Sequence, residues 1–295
     1  MPNPPNLNYL DPFILARIHS LQVRAKTVVE GFLSGQHQSS SRGHSIEFSQ
    51  HREYSLGDEL KHLDWKVYGR TDRFYIRQYE QETNLRLYLV LDCSGSMRFQ
   101  GSKSAFSKFN YAATVAASLS YLTLKQGDSV GFISGPANKI KVIPPRGSVG
   151  HLNILIKEME LLLPEGESVL TEYLNHIVHH AQKRSLIVIL SDLLEDSSLL
   201  LKTLKLLQFK KHEVLVLHLL DSDEKNFPYK GNIQFQSLEN NSSLTLNATV
   251  FAENYRQAVQ NLIDEYRLSL TQVGIKYIHS LTDQPIDQLL RFVLK

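Results

Sequence analysis

The chain has 295 residues, of which 42% are hydrophobic and 21% are charged, and its formal net charge is +2. This composition is typical of a globular protein with one large domain, and the weak net charge argues against a nucleic-acid partner or a membrane surface. The single cysteine, Cys93, excludes an intrachain disulfide and predicts a reducing, cytoplasmic location.

The beginning of the chain lacks the basic and apolar regions of a signal peptide. The longest apolar runs, residues 186–190 and 214–220, are too short to cross a bilayer. We therefore expect no membrane span.

The first predicted element is an amphipathic helix over residues 12–33, whose apolar side chains recur at helical spacing. Asp11 can cap this helix, Pro12 suits its first position, and Gly35 is expected to stop it. We expect the helix to pack against its own chain. The polar, serine-rich residues 34–45 predict a loop.

Two short segments then alternate apolar and polar residues, at 46–54 and 73–82. This period of two predicts half-buried antiparallel strands. Residues 1–84 are therefore predicted to form an N-terminal helix and a small β-rich extension.

From residue 85 onward, apolar strands alternate with amphipathic helices, which predicts an α/β domain over 85–295 with a doubly wound, mostly parallel sheet. The predicted strands are 85–92, 129–134, 139–144, 185–192, 213–220 and 275–281. The predicted helices are 105–125, 151–163, 169–182, 196–211, 252–273 and 286–294. Residues 221–250 interrupt this alternation and predict an antiparallel insertion.

Two of the predicted strands end in an aspartate, Asp92 and Asp192, and the loop after the first carries Ser94 and Ser96. Ligands of open α/β sheets bind beyond the carboxyl ends of the strands, where these oxygen atoms are expected to meet if the strands are neighbours. Hard oxygen donors favour Mg²⁺, Mn²⁺ or Ca²⁺ over Zn²⁺. Caps of the following helix are the simpler interpretation of Asp92, Ser94 and Ser96 alone.

The D-x-S-x-S motif after an apolar strand resembles the metal-ion-dependent adhesion site of von Willebrand factor type A domains, which have a Rossmann-like fold. The resemblance implies a further ligand at the strand-end Asp192, and a threonine from an intervening loop. In this chain Ser168 stands at the threonine position, and Thr171 is a nearby alternative.

Residues 51–70, HREYSLGDELKHLDWKVYGR, are similar to the signature of a bacterial family called domain of unknown function 58. The matching residues are Arg52, Glu53, Tyr54, Gly57, Asp58, Asp64, Trp65 and Arg70. The family implies a type A domain with an N-terminal β-rich extension and a MoxR-type AAA+ ATPase as partner in chaperone-like assembly. We interpret the charged signature residues as structural ion pairs anchored by Trp65 rather than a partner surface.

Three functions are compatible with these residues. The first is a non-catalytic interaction module that binds a divalent cation, Mg²⁺ or else Mn²⁺ or Ca²⁺, and captures a carboxylate of a partner ATPase or client protein. The second is a metal-dependent hydrolase or phosphatase that uses Asp92 and Asp192. The third is a scaffold whose metal site has degenerated at Ser168. We expect no enzymatic activity, and Cys93 is interpreted as a packing residue, because neighbouring carboxylates would raise its pKa.

Overall fold

The computed structural model describes residues 10–39, 51–53, 68–69, 75–77, 85–240 and 242–294. The chain divides into two compact units, one formed by residues 36–84 and the other by residues 1–35 together with 85–295. Each unit is described by itself below.

In the smaller unit, β1 (His51–Glu53) pairs antiparallel with β2 (Tyr75–Arg77), and Arg52 lies opposite Ile76. This pairing confirms the antiparallel strands predicted from the alternating pattern. Outside the described residues lie Tyr54, Gly57, Asp58, Asp64, Trp65 and Arg70 of the signature, and with them the predicted ion pairs and the Trp65 anchor.

The larger unit is built on a six-stranded sheet in the order β10-β7-β6-β3-β4-β5. The strands are β3 (Arg86–Leu91), β4 (Ser129–Ser134), β5 (Lys141–Arg146), β6 (Leu186–Ser191), β7 (Glu213–Leu220) and β10 (Lys276–Leu281). All neighbours are parallel except β5, which pairs antiparallel with β4 at one edge. Counted along the chain, this is the 3-2-1-4-5-6 order of doubly wound folds, and it confirms the predicted fold class.

Helices cover both faces of this sheet. They are α1 (Pro12–Ala16), α2 (Leu21–Ser39), α3 (Lys108–Lys125), α4 (Val149–Leu161), α5 (Leu170–His180), α6 (Ser197–Phe209), α7 (Ser222–Asn226), α8 (Ala248–Gln272) and α9 (Ile286–Val293). Leu87, Leu89 and Leu91 of β3 pack in one core with α2, α3, α4 and α9, whereas Val90 packs in a second core with α5, α6 and α8. Successive side chains of a strand point to opposite faces, so a strand buried on both sides has a continuous apolar sequence.

The N-terminal helical segment differs from its prediction. The chain forms two helices, α1 and α2, instead of one over 12–33, and α2 continues past Gly35 to Ser39. Ser20 starts the second helix, since its hydroxyl accepts from the backbone N of Val23 at 3.4 Å, and an N-cap residue is itself non-helical. Apolar side chains of α2 lie in the core of the larger unit, as expected for a helix that packs on its own chain.

The predicted insertion contains a β-hairpin, in which β8 (Asn232–Gln236) pairs antiparallel with β9 (Ser243–Asn247). The hairpin has a small core of its own, where Phe227 and Phe235 stack at 5.6 Å between ring centroids and Ala252 of α8 is buried against them. This core holds the hairpin on the first turns of α8. The structure thus confirms the antiparallel insertion.

Candidate metal centre

The two strand-end aspartates lie side by side, because β3 and β6 are neighbours in the sheet. The backbone N of Asp92 continues the pairing and donates to the carbonyl oxygen of Leu190 at 2.9 Å. Both carboxylates are fully buried. The order 3-2-1-4-5-6 places the reversal of the winding between these two strands, which is where doubly wound sheets bind their ligands.

Asp92 is the centre of the hydrogen-bond network at this edge. Its Oδ1 accepts from the backbone N of Ser94 at 2.9 Å. Its Oδ2 accepts from the hydroxyls of Ser191 at 2.5 Å and Ser168 at 3.3 Å. One carboxylate therefore connects the D-x-S-x-S loop, the loop before α5 and the end of β6.

The loop that carries Ser168 is fastened to the D-x-S-x-S loop through the backbone. The N of Glu165 donates to the carbonyl of Cys93 at 3.0 Å, and the N of Gly95 donates to the carbonyl of Gly166 at 2.8 Å. These bonds bring Ser168 to the carboxylate of Asp92 from 76 residues away in the sequence. The structure thus brings the hydroxyl of Ser168, the residue at the threonine position, to Asp92.

Thr171, the alternative to Ser168, lies close to Glu195 rather than to Asp92. Its backbone N donates to the two carboxylate oxygens of Glu195 at 3.2 and 3.3 Å, and Ser168 donates to Glu195 at 3.2 Å. The hydroxyl of Thr171 is buried and has no hydrogen-bond partner within the described part of the chain. Glu195 therefore ties the start of α5 to the loop after β6.

The second aspartate, Asp192, is paired with a buried lysine. The Nζ of Lys108, the first residue of α3, donates to Asp192 Oδ2 at 2.8 Å and to Glu224 at 2.6 Å, and its side chain is fully buried. The other oxygen, Oδ1, accepts only a long hydrogen bond of 3.4 Å from Leu194 among the contacts of the described residues. Asp192 thus keeps one oxygen that is weakly bonded.

Burial and mutual repulsion perturb the pKa values of this network. Desolvation raises the pKa of Asp92 to about 6, the charge of Asp192 adds to the rise, and the hydrogen bonds from Ser191 and Ser94 oppose it. Burial alone would lower the pKa of Lys108, but Asp192 and Glu224 outweigh it, so the net pKa is raised and the amine stays charged. The lysine balances one carboxylate, and the rest of the site remains electronegative.

The donor set fits a hard divalent cation. The hydroxyls of Ser94 and Ser96 are 3.0 Å apart, and Ser168 lies 3.3 Å from Asp92 Oδ2. Around Mg²⁺ with bonds of about 2.0–2.1 Å, adjacent ligand oxygens of an octahedron are about 3 Å apart. Among the described residues no three His, Cys, Asp or Glu side chains converge on a metal position, so a cation here depends on the serine hydroxyls.

The position of Cys93 in the hydrophobic core agrees with its interpretation as a packing residue. It is 1% exposed, and burial together with the charge of Asp92 raises its pKa to about 12. A thiol with such a pKa is not a nucleophile at neutral pH.

Five residues of this site were not anticipated from the sequence: Lys108, Ser191, Glu195, Glu224 and Glu239. Ser191 immediately precedes Asp192, and its position at the strand end was the available signal. Glu239 lies at the tip of the β8–β9 hairpin, half-buried beside Ser96. Burial raises the pKa of Glu239, whereas the hydroxyl and backbone N–H of Ser96 lower it.

The family model "Protein of unknown function DUF58" matches residues 50–267, which is most of the chain. The chain belongs to this family. The match spans the signature segment, the D-x-S-x-S loop and the hairpin insertion. It assigns no function to the chain, because the description of the family states none.

The chain is also similar to bacterial proteins and to solved structures from other protein families. Uncharacterised proteins of Mycobacterium tuberculosis and Mycobacterium bovis are 25% identical over 232 residues, which cover 78% of this chain and 72% of theirs. The conserved hypothetical protein BatB from Bacteroides thetaiotaomicron is 13% identical, with 72% of this chain and 100% of that chain covered and a TM-score of 0.43. The SpRpn10 VWA domain is 12% identical, with 70% and 93% covered and a TM-score of 0.42. TM-scores below 0.5 do not establish a shared fold, so the fold class is assigned from the strand order of the sheet.

Within the part of the chain that the structure describes, no helix has the length and apolar character needed to cross a membrane. The cytoplasmic location stays a prediction.

Proposed function

We propose that this chain is a non-catalytic protein-interaction module that binds a divalent cation and captures a carboxylate of a partner. The proposed ligands, direct or through water, are Asp92, Ser94, Ser96, Ser168 and Asp192. The observation that carries the proposal is the buried Asp92 carboxylate at the switch point of the sheet, which accepts hydrogen bonds from the backbone N of Ser94 and from the hydroxyls of Ser168 and Ser191. A network of hydroxyls and carboxylates without imidazole or thiolate favours Mg²⁺, and then Mn²⁺ or Ca²⁺.

The residues of the site have separate tasks in this proposal. Asp92 orients Ser168 and the D-x-S-x-S loop through the hydrogen bonds described above. Lys108 holds Oδ2 of Asp192 and so directs Oδ1 away from the lysine. When bound, a divalent cation supplies positive charge and an open coordination position for an incoming carboxylate. Without it, the buried carboxylates would repel an acidic partner.

The partner that we propose is a MoxR-type AAA+ ATPase, or a client protein that the two handle together in chaperone-like assembly. The support for this choice is the resemblance to the DUF58 signature and the family membership. The recognised group is an exposed aspartate or glutamate of that partner.

Calorimetry on metal-stripped protein tests the cation site. We expect wild type to bind Mg²⁺ and Mn²⁺, and Asp92→Asn to lose that binding while it keeps its circular dichroism spectrum. Asp264→Asn, which removes an exposed carboxylate on α8, is the matched control and should bind as wild type does. Equal binding by wild type and Asp92→Asn would contradict the proposal.

The partner is tested separately, by pull-down with the purified chain in Mg²⁺ and in EDTA. Capture of the ATPase in Mg²⁺ alone, and by wild type but not by Asp92→Asn, is the expected result. The hydrolase alternative has no specific observation in its favour, since Ser94 stands two residues after Asp92, where a phosphatase of this layout would need a second acid. Phosphatase or esterase turnover that disappears in Asp92→Asn would replace the proposal with that alternative.

A further inference from the structure

The tip of the β8–β9 hairpin lies directly on the D-x-S-x-S loop. A Cβ atom added at Gly95 would lie 2.0 Å from the carbonyl oxygen of Leu238 and 3.0 Å from the Cα of Glu239. The guanidinium of Arg98 donates to the same carbonyl of Leu238 at 2.6 Å. This approach of two backbones is possible because position 95 has no side chain.

The tip is held in one conformation by its own hydrogen bonds. The backbone N of Ser237 donates to the carbonyl of Ser242 at 2.9 Å, and the hydroxyl of Ser237 accepts from the N of Glu239 and of Asn240, both at 3.2 Å. The aromatic core around Phe227 anchors the strands below it. The hairpin therefore presents Glu239 to the loop as a preorganised group.

The carboxylate of Glu239 is placed where an anion needs a cation. It lies beside Ser96, and the charges of Asp192 and Glu167 act on it. Its Oε1 atom is buried and has no hydrogen-bond partner among the residues that the structure describes. Leaving such an atom unpaired is unfavourable, because the hydration it loses is not replaced. A carboxylate among other carboxylates is stabilised when a positive ion lies between them.

We propose that Glu239 is an internal ligand of the cation site. Its carboxylate takes the coordination position that a partner's carboxylate would use, and the hairpin tip must leave Gly95 before the partner can bind. The inference rests on the proposed function, because it presupposes the cation at Asp92 and Ser96. It adds a regulation of that site: the chain competes with its own partner.

The test is a Mn²⁺ titration of the metal-stripped full chain, followed by water-proton relaxation. Relaxation reports the number of water molecules on bound Mn²⁺ as well as the affinity. We expect Glu239→Ala to bind Mn²⁺ at least about tenfold more weakly than wild type and to gain water on the ion, because a carboxylate ligand is removed. Glu253→Ala removes a glutamate that is 80% exposed on α8 and should leave both quantities unchanged.

Hydrogen exchange of the backbone amides in the hairpin tip gives a second measurement. Adding Mg²⁺ should slow exchange at the tip in wild type and in Glu253→Ala, and should leave Glu239→Ala unaffected. The half-exposed position of Glu239 at a turn makes the alanine variant compatible with folding.

The outcomes separate the two proposals. If wild type and Glu239→Ala bind Mn²⁺ with the same affinity and hydration while Asp92→Asn does not bind, the internal ligand is refuted and the cation site stands. If wild type and Asp92→Asn both fail to bind Mn²⁺ at millimolar concentration, the cation site is refuted and the internal ligand with it.

Discussion

Replacing Lys108 with methionine tests whether the buried ion pairs hold this edge of the sheet together. The lysine side chain is fully buried, and its amine lies 2.8 Å from Asp192 and 2.6 Å from Glu224. Methionine keeps the volume and the apolar stem but removes the charge. Asp192 is then a fully buried carboxylate without its counter-ion, while Glu224 retains some access to solvent.

The expected loss in the free energy of unfolding at pH 7 is about 3–5 kcal/mol, because removing one partner of a buried ion pair leaves an uncompensated buried charge.

Urea titration of metal-stripped protein at pH 7 measures this loss. Lys141→Met is the matched control: its ion pair with Glu158 is 3.3 Å long and half exposed, so its loss should not exceed about 1 kcal/mol. Lys108→Met combined with Asp192→Asn should recover much of the loss, since no unpaired charge stays buried. A loss below about 1 kcal/mol at pH 7 would show that the buried ion pairs of Lys108 do not hold this edge of the sheet together.

Three further predictions concern the loop, the sheet and the hydroxyl of the loop before α5. Gly95→Ala should lower the free energy of unfolding by about 1–3 kcal/mol, because its Cβ would overlap the backbone of the hairpin tip. The control is Gly150→Ala, whose Cβ meets open space. Equal urea midpoints for the two variants would contradict the contact between Gly95 and the hairpin tip. Burial, with the nearby His279 as a smaller cause, lowers the pKa of His218 to about 3. As the pH falls from 7 to 5, below the unfolded pKa near 6.5 but above the folded value, wild type should lose about 2 kcal/mol of stability relative to His218→Gln. Parallel profiles of stability against pH in urea would contradict this prediction. Ser168→Ala should weaken Mg²⁺ binding about tenfold in calorimetry, which corresponds to about 1.4 kcal/mol of binding free energy for one lost hydroxyl ligand. Ser168→Thr keeps the hydroxyl and should bind Mg²⁺ at least as well as wild type. Equal affinities of wild type and Ser168→Ala would remove residue 168 from the site.

The fold class and the position of the candidate site can be predicted from the sequence. Continuous apolar strands alternating with helices are a local pattern, and burial on both faces of a parallel sheet requires it. The D-x-S-x-S loop and the strand-end Asp192 follow directly from where those strands end. Ser168 was placed through the family resemblance, and the structure brings its hydroxyl to Asp92.

Which charged side chains meet at that site could not be predicted from the sequence, because it depends on tertiary packing. Lys108 occupies the first position of a helix, where a lysine is ordinarily exposed, and it contacts a carboxylate 84 residues away. Glu239 lies in a polar turn, and the turn sequence contains no sign that the hairpin folds back onto Gly95. These contacts depend on how the α3 helix, the β6 strand and the insertion pack, which no local period encodes.

The division of the N-terminal helix into α1 and α2 also depends on tertiary packing. Ile18 and Leu21 lie on one helical stripe of the sequence, yet Ser20 starts a new helix between them. Leu15 and Leu21 are buried in the same core, and two shorter helices reach it where one straight helix was predicted. The apolar periodicity predicts which side chains are buried. Whether the backbone between them forms one helix or two depends on the shape of the core against which they pack.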